Sequence, residues 1–282
     1  MLHLLEHTLK DTISILPFLF VAFLFIELLE HKFSDKTKKI INNSGKFGPL
    51  IGSLLGIVPQ CGFSVLATNL YITRVISFGT LIAIYLSTSD EMLPIMISRN
   101  VDFKVIVIFV LIKFMCGIIF GFIIDLFIRN KNFIMQYDYN ICDKEECHCE
   151  YGIIKSSIKH TLGTFIVLFI ITFCLNFMFE YISDNVINKM FMKNNIFGPF
   201  LGALIGLIPN CGSSIILTEL FISNIINLGT CMAGLLCGSG VALLILLKSN
   251  KNIKENLFII TTLYVISVLV GIIIELIGIV LF

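Results

Sequence analysis

Apolar residues fill this chain in long blocks rather than in the one-sided stripes of a soluble helix. Residues 1–128 hold four of them, at 12–30, 47–73, 76–98 and 103–128, and four more follow from residue 160 onward. A helix of about 20 apolar residues crosses a hydrocarbon core of about 30 Å. The block 47–73 is broken in its middle by Pro59-Gln60-Cys61-Gly62. Each arm, 47–58 and 62–73, has 12 residues, or about 18 Å of helix at ~1.5 Å per residue. Such arms reach the middle of a bilayer and turn back, which predicts a re-entrant helical hairpin. The next block carries Ser87-Thr88-Ser89-Asp90-Glu91 about two-thirds of the way along, which predicts a broken helix.

The same pattern recurs 150 residues later. FGPLIGSLLGIVPQCGFS (47–64) falls on FGPFLGALIGLIPNCGSS (197–214), and 47–94 share 20 identities in 48 positions with 197–244. Upstream, His7 to Glu27 matches His160 to Glu180. Downstream, Gly121 and Asp125 fall on Gly271 and Glu275. Two homologous halves, 1–128 and 160–282, are joined by the polar linker 129–159. Duplications of this kind mark secondary transporters. The expected fold is an all-α polytopic membrane protein of about ten helical segments. Each repeat has three spans plus one hairpin, and the repeats are inverted.

The basic residues favour that inversion. With hairpins that enter and leave on one side and both termini outside, 14 Lys and Arg lie on the cytoplasmic side and 5 outside. Four full crossings per half, giving parallel repeats, would make the split 12 to 7. The positive-inside rule prefers the former. It places the linker in the cytoplasm and the chain in the cell (inner) membrane.

Composition agrees. The chain is 57% hydrophobic and 14% charged, against about 25% charged in soluble domains, so the lipid bilayer is its first partner. A net charge of +1 gives no electrostatic footprint for nucleic acid. The first block lacks a basic leader and a small-residue cleavage site, and reads as a permanent span. The nine cysteines show no paired spacing of a disulfide scaffold.

The candidate chemistry sits at the interruptions. Non-helical backbone at membrane depth is tolerated where it lines a cavity or is buried in protein. Gln60 and Cys61 at one tip and Asn210 and Cys211 at the other can offer amides and thiols to a substrate. Asp90 and Glu91 are intramembrane carboxylates, costly enough to imply function. Ser89 adds an oxygen. Cys237 and Ser239 occupy the matching break in the second half. Lys113, whose counterpart is Leu263, is a candidate charge partner for Asp90 or Glu91. Glu219, opposite Asn69, is a second candidate for charge or proton coupling. Asp125 and Glu275, at matched span ends, are weaker proton-relay candidates. Thiols suit soft metals or trivalent arsenic, whereas carboxylates, amides and hydroxyls suit harder ions such as Mn²⁺. In the linker, Cys142, Cys147, His148 and Cys149 could gather around one ion. Cys116, Cys174 and Cys231 read as packed small apolar residues.

The paired FGPLIGSLLGIVPQCGFS and FGPFLGALIGLIPNCGSS, the STSDE after the first and the Cys/His-rich loop resemble the ten-transmembrane heavy-metal exporter family, over nearly all of 7–282. Its members are labelled as arsenic efflux proteins or manganese transporters. The resemblance implies export of a metal or metalloid ion as cargo, with no permanently bound cofactor and no enzymatic reaction. Ten segments fit if each hairpin arm counts as one. The hairpin-then-broken-helix order is also similar to carriers of arsenite and dicarboxylates, an analogy of fold alone. No nucleotide-binding motif is present, so the energy would come from an ion gradient, with protons the candidate counter-ion, or from the substrate's own gradient. A carrier of a small organic or oxo-anion, or an ion channel, is the alternative. An intramembrane enzyme is disfavoured because no His lies in a span core. Oligomeric state, a homodimer included, is left open by the sequence.

Overall fold

The structure, a computed structural model, describes residues 47–58, 61–89, 92–130, 197–209 and 211–278, with isolated helical positions within 13–24 and 158–173. The linker and its Cys142, Cys147, His148 and Cys149 lie outside the described residues. All regular structure among the described residues is helical. The first half provides α1 (Gly48–Gly56), α2 (Cys61–Ile72), α3 (Phe78–Ser87), α4 (Met92–Ser98) and α5 (Phe103–Asn130). The second provides α6 (Gly198–Gly206), α7 (Cys211–Ile222), α8 (Leu228–Cys237), α9 (Ala242–Ser249) and α10 (Ile253–Ile277).

Helix ends fall where local chemistry puts them. Pro49 and Pro199 stand in the first turns of α1 and α6, where a missing N–H costs no hydrogen bond. Ser77 caps α3 by accepting from Thr80 N, and Asn252 caps α10 by accepting from Glu255 N. Gly278 closes α10 in the left-handed conformation, φ +67°, which glycine adopts without steric cost.

Four described segments are long and apolar enough to cross a membrane: 78–98, 103–128, 228–249 and 253–277. They divide by burial. Every residue of α3 and of α8 is buried, and 89% of the apolar window over 228–249 is enclosed. Only 28% of the window over 103–128 is enclosed. A helix apolar on all sides is either enclosed by protein or bathed in lipid. The interrupted pairs α3–α4 and α8–α9 are therefore the interior, and α5 and α10 turn a broad apolar face outward.

Glycines set the intimacy of each half. Gly48, Gly52 and Gly56 meet Thr80, then Thr80 with Ile84, then Ser87, in that order, so α1 runs parallel to α3. The pairing Thr68–Tyr85 and the ring contact Tyr71–Phe78 run the other way, so α2 returns antiparallel to α3. A Cβ on Gly121 would lie 2.8 Å from Ala83 Cβ, 2.8 Å from Pro49 Cβ and 2.9 Å from Gly79 O. On Gly271 it would lie 2.7 Å from Ala233 Cβ, 3.0 Å from Pro199 Cβ and 2.7 Å from Gly229 O. Small residues permit this closeness, and van der Waals contact drives it where the surroundings are as apolar as the helices.

Between the halves the packing is crossed. The outgoing arm α2 lies against α9, and the outgoing arm α7 lies against α4. The two interior helices α3 and α8 touch each other. An edge-to-face pair, Phe109 on α5 and Phe221 on α7 with centroids 5.1 Å apart, adds an aromatic contact across the same boundary.

Candidate functional site

The chain interruptions pair within each half. The first tip follows Gly56, where a Cβ would collide with Ser87 Oγ and lie 2.8 Å from Ile84 O. This places the end of α1 against the end of α3, just before the Thr88–Glu91 break. The second tip follows Gly206, whose Cβ would collide with Gly234 O. A Cβ on Gly238, in the second break, would sit 3.4 Å from Ser214 Oγ and 3.8 Å from Gly206 O. Each tip is thus seated on the break of its own half. Across the second tip, Ser213 Oγ donates to Ile208 O at 3.4 Å and ties the outgoing arm to the incoming one.

A broken helix leaves its last carbonyls without intrahelical partners. The two breaks differ in what meets their carbonyls. At α3 the hydroxyls of Ser87 and Thr88 add to carbonyls still inside the backbone ladder, Ile84 O also accepting from Thr88 N at 2.9 Å, and only Ser89 reaches a carbonyl past it. At the end of α3, Thr88 Oγ1 donates to Ile84 O at 2.7 Å and Ser87 Oγ donates to Ala83 O at 2.8 Å. Ser89 Oγ donates to Ser87 O at 3.2 Å. At the end of α8 the matching residues are Cys237 and Gly238, with no hydroxyl. There Lys113, reaching over from α5 and 1% exposed, donates from Nζ to Leu235 O at 2.8 Å. Ser239 Oγ, in the same break, is fully buried and has no hydrogen-bond partner.

Of the residues expected at the site, Ser89, Cys237, Ser239 and Lys113 are therefore placed at or beside the breaks. Cys61 and Cys211 open α2 and α7. Gln60, Asp90, Glu91 and Asn210 lie outside the described residues. The Cys237 thiol sits beside Ser267 of α10. Cys231 donates from Sγ to Leu217 O at 3.6 Å within the core. Glu219 lies on α7 at the rim, where its Oε1 accepts from Arg99 Nε at 2.9 Å. Among the described residues no three His, Cys, Asp or Glu side chains gather around a common point.

Two acidic residues have a clear place. Asp125 accepts from Ser77 Oγ at 2.7 Å and from Gly79 N at 2.8 Å. Its negative charge meets the N-terminus of α3, which the helix dipole favours. Glu275 accepts from Asn227 Nδ2 at 2.8 Å beside the N-terminus of α8. The sequence offered them as weak relay candidates. It did carry the relevant signal, since Gly79 and Gly229 also match across the 150-residue offset.

Arg74, Tyr71 and Glu255 form the strongest polar contact between the halves. Arg74 grips both Glu255 oxygens, with Nη2 2.8 Å from Oε2, and Tyr71 OH donates to Oε1. The guanidinium also lies 5.2 Å from the centre of the Tyr71 ring. The hydrogen bond to Glu255 raises the Arg74 pKa, against the opposing effect of burial.

A family model described as "Putative, 10TM heavy-metal exporter" matches residues 3–176 and 162–280. The chain belongs to this family. Each match segment spans a tip and the helix break beside it. No curated protein and no solved structure matches the chain. Family membership and the apolar helices together make this a multi-pass membrane protein.

Proposed function

We propose that the chain is a secondary active transporter that exports a metal or metalloid ion through a midplane site. The site is built from the two P-x-C-G tips and the two helix breaks, and alternating access moves one part of the protein against another around it. The observation that carries this reading is the seating of each tip on a broken, fully buried helix. In this reading the half-helix ends, their carbonyls and hydroxyls, and the tips that carry Cys61 and Cys211 would form one site near the middle of the bilayer.

The inversion of the repeats is supported by the two ion pairs. Arg74–Glu255 holds the 73–77 turn and the start of α10 on one side. Arg99–Glu219 holds the end of α4 near the end of α7 on the other. The segment 78–98 then leaves the first side and 228–249 returns to it, so equivalent spans cross in opposite directions. Because α1 runs parallel to α3 and α2 runs back, each pair of arms enters and leaves on one side as a re-entrant hairpin. The side bearing Arg74, Lys248, Lys251 and Lys254 is the cytoplasmic one by the positive-inside rule. Protons, with Asp90 or Glu91 alternating between cargo, proton and the Lys113 ammonium, are the proposed counter-ions.

The test is accumulation. Cells lacking their own exporters, expressing this chain, are challenged with Mn²⁺, Zn²⁺, Cd²⁺ and arsenite, and their content is measured by elemental mass spectrometry. Lower accumulation of at least one ion is expected. Asp90→Asn, or Cys61→Ser combined with Cys211→Ser, is expected to abolish the effect in protein that still reaches the membrane. Unchanged transport in all of these variants would refute the site.

A further inference from the structure

We propose that the second break is a cation site whose occupant is built into the chain. The Lys113 ammonium takes, at the end of α8, the place that a free monovalent cation would otherwise fill. The inference deepens the transport reading, since it concerns the same pair of breaks, but its test does not depend on metal export.

The geometry points this way from three directions. Leu235 O is the acceptor that Ser239 N–H would have used had α8 continued, by the i to i−4 rule. The break at Gly238 frees it, and Lys113 Nζ stands 2.8 Å from it. Next, the break holds a second oxygen, Ser239 Oγ, buried and unbonded. A helix C-terminus carrying partial negative charge, with a free carbonyl and a hydroxyl, is a ligand set for a small hard cation. Finally, the two halves differ here. The position matching Lys113 is Leu263, fully buried and apolar. The first break instead has the Ser89 hydroxyl on Ser87 O, and Asp90-Glu91 follow in the sequence. The tethered ammonium thus meets the carbonyl end of α8, and the first half has no basic counterpart to it.

A buried ammonium is costly unless it is bonded, and capping a helix end could be a purely structural use of one. The two roles separate by experiment. Purified full-length protein is melted in detergent, in choline chloride and then in increasing NaCl, KCl or methylammonium chloride at constant ionic strength. Wild type should show no cation preference, because its site is full. Lys113→Ala should melt lower in choline and recover in a saturable way with one of the small cations. Lys113→Arg should behave as wild type. If Lys113→Ala is not recovered as folded protein in choline, solubilising the membranes in methylammonium or Na⁺ should restore monodisperse material. Ser239→Ala added to Lys113→Ala should weaken the apparent affinity for the rescuing cation several-fold. A folded Lys113→Ala that gains no more from small cations than from choline would overturn the proposal. So would an unfolded one that no cation recovers, or a wild type that itself shows saturable Na⁺ stabilisation. Cation rescue in a protein that exports none of the tested metals would retain this site and remove the metal-export reading.

Discussion

Arg74 and Arg99 illustrate how much an ion pair's surroundings matter. Both join the halves. Arg74 and Glu255 are 21% and 11% exposed and bonded twice, with Tyr71 adding a third contact. Arg99 and Glu219 are 59% and 34% exposed with a single bond. Removing one partner of an enclosed charged bond costs about 1.5–3 kcal/mol, whereas an exposed pair contributes under about 1 kcal/mol. Glu255→Gln should therefore lower the melting temperature of purified protein clearly more than Glu219→Gln, and equal shifts would contradict this ranking. Asp125→Ala removes the acceptor of Ser77 Oγ and Gly79 N at the start of α3. It should destabilise by about 1–2 kcal/mol, the usual range for a helix N-terminal partner, and Asp125→Asn by less. Chemical denaturation in detergent measures both. None of these pairings is written in the local sequence, because the partners stand 46 to 184 residues apart. Lys113 was legible as important because an ionisable residue inside an apolar block is expensive wherever it points. Its carbonyl acceptor, on a helix 122 residues away, was not.

At the scale of elements, the hairpin arms and broken helices were legible because they are made by local rules. Proline and glycine interrupt helices, and apolar blocks of known length fit known depths. What locks them is the glycine contact surface. Gly206 is the sharpest test, because a Cβ there would run into the backbone oxygen of Gly234 rather than into a side chain that could move. Gly206→Ala should push the second tip off α8 and reduce transport at least about tenfold, while α1 to α5 stay packed; a loss of ~1.4 kcal/mol in the transport-competent state suffices for that factor. Uptake into proteoliposomes checks the first part, and limited proteolysis checks the second. Gly48→Ala, at the start of α1, meets only Thr80 side-chain atoms and should be milder.

For the whole molecule, the crossed packing of α2 on α9 and α7 on α4 makes the halves interdependent, so neither half alone should insert as a stable unit. The opposed direction of the halves yields a direct test. In a background whose linker cysteines are serine, Thr73→Cys and Lys251→Cys should react with an impermeant maleimide from the same side of the membrane. Ser98→Cys and Ser223→Cys should react from the opposite side. Labelling of Thr73→Cys and Ser223→Cys from one side would replace inverted repeats by parallel ones.

By itself the sequence determined that the chain lives in a bilayer, that its pattern is duplicated at 150 residues, and that its interruptions carry the polar chemistry. Each of these follows from rules that act over a few residues: transfer of apolar groups out of water, helix length against bilayer thickness, and the cost of proline or charge inside a helix. The tertiary structure alone decided which ends face one another. It seated the tips on the breaks, gave α8 a lysine from α5 where α3 uses its own hydroxyls, and turned Asp125 into a cap. Those choices depend on which distant surfaces can approach within van der Waals contact. That is settled by the shapes of the packed helices rather than by any stretch of the chain read in order.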